Sequence, residues 1–191
     1  ERVARHVRAA ESAPFRFAAT AALFRRSGLP AILLVCHALG GGVRRHLDGL
    51  VARLAGRANF LLLSPDPRGT ALSVPAVPGH PALVLPRDRI DDLCQVLRFA
   101  GVSRVHIHHL ADVDFDVQGL IARLGAPFDT TVHDYLAVCP RVNLLPRLDG
   151  PPCADPSPAD CDACIAHRPP RGARDILSWR AEPGHPVARI G

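Results

Sequence analysis

The run Ala31-Ile32-Leu33-Leu34-Val35-Cys36 constrains the fold of this chain more than any other stretch. Six consecutive apolar residues, rich in branched side chains and too short for a globular helix, fit a strand buried on both faces, as in a parallel sheet covered by helices. His37-Ala38-Leu39-Gly40-Gly41-Gly42 follows, and then Val43, Leu47, Leu50, Val51 and Leu54 recur at helical spacing up to the stop signal Gly56. The unit repeats. Asn59–Ser64 reads as a second strand, Pro65–Pro81 as an irregular connection, and Ala82–Leu85 as a short strand. A helix over Asp91–Phe99, a strand over Arg104–His109, a helix over Val117–Leu124 and a strand over Asp129–Asp134 complete the alternation. The expected fold class is α/β, with an open, mostly parallel sheet and helices on both faces.

The flanks behave differently. Apolar residues Val3, Val7, Phe17, Ala21 and Phe24 around Pro14 suggest two short Arg-rich helices, an N-terminal extension over residues 1–30 that precedes the main domain at 31–191 and either links to a preceding domain or packs on the sheet. Beyond Pro140 the alternation stops, and a Cys-rich loop excursion over 139–164 leads to a short helix near Ala173–Trp179.

At 191 residues the chain suits one α/β domain with an appendage. No apolar run approaches the roughly 18 residues that span a bilayer, and residues 1–28 lack a secretory pattern, so a soluble, unexported chain is expected. The start at Glu1, the lack of Met and the stop at Gly191 suggest a piece of a longer protein. All 23 basic residues are Arg and the formal charge is +5, but they are spread along the chain, with one Tyr and one Trp among the aromatics. No nucleic-acid partner is expected.

In such sheets ligands bind outside the carboxyl ends of the strands. The polar groups there are His37 with Gly40, Gly41 and Gly42, Ser64 with Asp66, His108 with His109, and His133 with Asp134. The glycines would let a phosphate approach the start of the following helix, although the segment is neither a GxGxxG nor a Walker loop, and a plain tight turn reads equally well. On a strand His106 and His108 share one face while His109 points to the other, which favours hydrogen bonding over a three-histidine metal site. His133-Asp134 could supply a base, hydrogen-bond acceptors for a hydroxyl nucleophile, or a cap for the next turn. No Gly-x-Ser-x-Gly elbow is present.

Cys36 and Cys94 lie in apolar contexts and read as core residues. Cys139, Cys153, Cys161 and Cys164 fall in loop-like sequence, the last two as a CxxC pair. A structural zinc, disulfides and free thiols all remain open for them, zinc being favoured in a reducing compartment, with His167 as a substitute ligand.

Taken together, Gly41-Gly42-Val43-Arg44-Arg45-His46 and the stretch His133-Asp134-Tyr135-Leu136-Ala137-Val138-Cys139-Pro140-Arg141-Val142-Asn143-Leu144-Leu145 resemble the N-terminal domain of family 4 glycosyltransferases of the two-domain GT-B type. Gly150, Cys153, Cys161 with Cys164, and Trp179-Arg180 continue the likeness in order. The resemblance implies two Rossmann-like domains with the reaction in the cleft between them. It implies that Gly40–Gly42 approach the diphosphate of a nucleotide-sugar donor, that His133 and Asp134 are catalytic, and that His108, His109 and Arg141 bind substrate.

The implied reaction is hexosyl transfer with retention to a glycan or lipid-linked acceptor, in polysaccharide biosynthesis, with no metal at the reaction centre. The expected setting is the cytoplasm, with peripheral contact at the inner membrane face. The C-terminal donor domain is not in this chain, so the fragment alone is expected to be inactive. The alternative is a non-catalytic Rossmann-like binding module stapled by structural zinc. A nicotinamide-dependent enzyme on the same sheet lacks its glycine fingerprint.

Overall fold

A computed structural model of the chain describes residues 13–110, 113–135, 138–141, 143–146, 150–167 and 175–181. The chain forms two compact units, Glu1–Thr131 and Val132–Gly191.

The first unit runs α1 (Ala13–Ser27), β1 (Ala31–Cys36), α2 (Gly41–Arg53), β2 (Asn59–Asp66), β3 (Gly69–Ser73), β4 (Leu83–Leu85), α3 (Ile90–Phe99), β5 (Val102–His109), α4 (Val117–Leu124) and β6 (Phe128–Thr130). Its six strands form one sheet in the order β4-β3-β2-β1-β5-β6. β1 pairs in parallel with β2 and β5, and β5 with β6, whereas β3 is antiparallel to both β2 and β4. The α/β class and the mostly parallel open sheet are as expected.

Alternation along β1 divides the core. Leu33 and Val35 join one cluster with Phe17 and Ala21 of α1, Leu93 and Leu97 of α3, and Leu120 and Ile121 of α4. Leu34 and Cys36 face the other way, against Leu47 and Val51 of α2. Helices therefore cover both faces. Leu33, Leu34 and Val35 are wholly buried, and burial of each contributes about 1.5–3 kcal/mol. α4 has clear ends: the Asp116 side chain accepts from the Gly119 N–H (2.7 Å), and Gly125 turns left-handed to donate to the Ile121 carbonyl.

In the first unit β3 and β6 differ from the sequence expectation, and α1 joins the core. β3 lies inside the stretch read as an irregular connection: the Asp66 carboxylate accepts from the Arg68 N–H (2.9 Å), tightening a hairpin turn that folds Thr70–Leu72 back onto β2. β6 ends at Thr130, short of His133-Asp134. It is paired with β5 alone, and Val132 beyond it is exposed. α1 is a single helix from Ala13 whose Phe17 and Ala21 are core residues of the first unit; the helix expected before Pro14 lies outside the described residues.

In the second unit the described helices are α5 (Pro158–His167) and α6 (Ile176–Ala181). α5 falls where only loop was expected. It begins with a capping box: the Asp160 N–H donates to Ser157 Oγ (3.3 Å) and the Ser157 N–H to the Asp160 carboxylate (3.1 Å), with Pro158 in the first turn. Among the described residues no helix is long and apolar enough to cross a membrane.

Candidate functional site

Because β2 and β5 lie on opposite sides of β1, the chain reverses its direction of travel across the sheet there, and the carboxyl ends of β1 and β5 mark the switch point at which open α/β sheets bind ligands. His37 stands just past β1 and His109 ends β5. Their backbones are joined, His37 N–H donating to the His109 carbonyl (3.1 Å), and their rings meet edge to face at 4.7 Å. The Leu39 N–H donates to His37 Nδ1 (3.0 Å), so in the neutral ring the proton is on Nε2.

The remaining β5 histidines, His106 and His108, lie on the α2 side. His106 and His108 stack at 4.3 Å, and the ring of His46, from α2, lies 5.4 Å from His108. This is the alternation expected of a strand, with His109 on the opposite face to His106 and His108. His108 and His109 are 2% and 9% exposed, whereas His46 is exposed and His37 half-buried. Compared with His108 and His109, His37 and His46 are thus the more accessible to a ligand. Neither was among the substrate residues expected from sequence; His37 was legible as a strand end, but the approach of His46 depends on how α2 packs.

His106 has a structural setting. Nε2 pairs with Thr131 Oγ1 (2.8 Å) and Nδ1 faces the Asp129 carboxylate (3.4 Å), which Arg104 also holds. Burial lowers its pKa below the ordinary value, Asp129 opposing and His46 and Arg104 reinforcing the shift. The Cys36 thiol is pushed up to about 11 by burial, which leaves it inert as a nucleophile.

At the start of α2, Gly40 has φ 78° and ψ −145°, makes no side-chain cap, and is followed by no acidic residue in the first turn. Gly41 also has positive φ (76°), while Gly42 lies in the helix. The first-turn N–H groups and the positive end of the helix dipole thus carry no side-chain cap, the arrangement that receives anions. A Cβ built on any of the three glycines would meet nothing within 4 Å. Asp66, at the end of β2, is held below the usual carboxylate range by Arg68 and serves the hairpin turn.

His133 and Asp134, both half-buried, open the second unit. The same unit gathers the four loop cysteines. The N–H groups of Val138 and Cys139 donate to the Tyr135 carbonyl (2.9 and 2.8 Å), and the Cys153 N–H donates to the Leu144 carbonyl (2.8 Å). Cys161 and Cys164 stand three residues apart on one face of α5. All four line a cavity of about 590 Å³. Arg141, expected to face substrate, is found among them: its N–H donates to Cys139 Sγ (3.4 Å) and its guanidinium to Cys164 Sγ (3.0 Å) and the Cys164 carbonyl (2.7 Å).

Comparison of the chain with protein-family models, with curated proteins and with solved structures gave no match.

Proposed function

We propose that the chain is the acceptor-side half of a retaining glycosyltransferase that moves a sugar from a nucleotide-sugar donor to a glycan or lipid-linked acceptor, the donor domain being supplied by a further part of the protein. The supporting observation is the glycine-led N-terminus of α2, without a side-chain cap, next to the strand ends that carry His37 and His109. Amides aimed at a departing diphosphate stabilise the charge that develops as the glycosidic bond breaks, and they need no reorganisation to do so. His37, at the end of β1, and the exposed His46 carry ring nitrogens of the kind that hydrogen-bond sugar hydroxyls. His133 and Asp134 enter this reading through the resemblance alone.

Gly42 gives the discriminating test. It lies in the helix at ordinary φ with open space around it, so Gly42→Ala should keep the fold and add up to about 1 kcal/mol of stability. The added methyl would nevertheless stand where the diphosphate must approach. In the full-length protein, assayed against a panel of nucleotide sugars, the variant is expected to lose at least tenfold in transfer with its melting temperature retained. Absence of donor binding and of transfer across the whole panel by the wild-type protein would refute the reading. Ligand binding without transfer would favour a non-catalytic module.

A further inference from the structure

We propose that Cys139, Cys153, Cys161 and Cys164 bind one structural Zn²⁺ in a closed tetrathiolate site that ties the second unit together. The proposal is independent of the transferase reading, since it rests on how this unit is built. Among its described residues only Ile165 and Ile176 are buried apolar side chains. Two such residues contribute little against the entropy of ordering the described segments, and small units with little core are commonly fixed by metals or disulfides.

The donor set fits zinc. Thiolates are soft ligands, four of them complete a tetrahedron, and a tetrahedron closed by protein leaves no position for substrate. Two ligands come from turn and loop backbone, and two from adjacent turns of one helical face, so a single ion would join three segments of the unit.

The surroundings fit as well. A zinc with four thiolates is doubly negative, and cationic or N–H groups next to the sulfurs offset that charge. The Arg141 backbone N–H reaches Cys139 Sγ, two residues earlier, and its guanidinium reaches Cys164 Sγ. Arg180 lines the same cavity and brings a second positive charge to it.

Among the described residues no three of these sulfurs lie within 4.8 Å of one another. Zinc–sulfur bonds of about 2.3 Å require neighbouring sulfurs about 3.8 Å apart, so binding would draw the side chains inward by rotation into the cavity they already line. Cys36 and Cys94, buried in the first unit, take no part.

The test is elemental analysis of the full chain, prepared without chelator and without a metal-binding tag. About one zinc per chain is expected, falling at least tenfold in the Cys161→Ser/Cys164→Ser variant and unchanged in Cys94→Ala and His167→Ala. As a readout that does not depend on the folding of the double variant, cobalt is substituted into the wild-type protein. An intense thiolate-to-cobalt charge-transfer band with tetrahedral d–d bands supports the site; octahedral cobalt, or none bound, overturns it. Metal-free folded protein with all four thiols reactive, or a mass showing them joined as disulfides, also overturns it.

Discussion

His106 shows how a single side chain on this sheet can serve stability. It faces Asp129, Arg104, His108 and, from α2, His46, and burial is the leading reason its pKa is lowered from 6.5. A base whose folded-state pKa is depressed binds fewer protons than the unfolded chain, so the stability present above about pH 6.5 is lost as pH falls below that value. His106→Gln is expected to flatten this acid limb of the stability curve, read by urea denaturation across pH; an unchanged slope would show that the ring is not the titrating group. The partition of the β5 histidines was legible in the sequence, because a period of two puts His106 and His108 on one side and His109 on the other. The partners were not. Thr131, Asp129 and His46 reach His106 and His108 only through the pairing of β6 and the docking of α2, which no local pattern encodes. Arg141 is similar, since its neighbours Cys139 and Cys164 come together only once α5 exists.

The elements that were missed share a cause. The hairpin strand β3 and the helix α5 both lie in Pro-rich stretches, where composition signals loop and hides short regular segments. For α5 a local signal was nevertheless present: Ser157-Pro158-Ala159-Asp160 is a capping box around a first-turn proline. β3 had weaker cues, as Gly69–Ser73 lacks the alternation of a half-buried strand and is buried along most of its length. α1 was legible as a helix, but whether it packs on the sheet was not. Its side chains pair with a sheet that begins four residues after it ends, and Phe17 is only 3% exposed. Phe17→Ala is therefore expected to cost about 3–5 kcal/mol, measured by chemical denaturation. A loss below about 1 kcal/mol, within the range of surface substitutions, would show that α1 is an appendage after all.

For the molecule as a whole, every strand of the sheet and both of its hydrophobic clusters belong to the unit that ends at Thr131. A chain of residues 1–131 is predicted to fold by itself, because truncation there removes no member of either cluster. Circular dichroism with mixed α/β character and one cooperative thermal transition would bear this out, and a molten, non-cooperative product would refute it. The position of β1 at the middle of the sheet has a kinetic consequence. β2, about 30 residues later, can pair with it early, and β3 folds back onto β2 by a tight turn. The other edge of β1 must wait for β5, about 70 residues further along, and such non-local pairing is slow. During synthesis the most apolar strand of the chain is therefore left with an unpaired flank while some 70 residues are added, which is the interval in which a nascent chain is most exposed to misassociation.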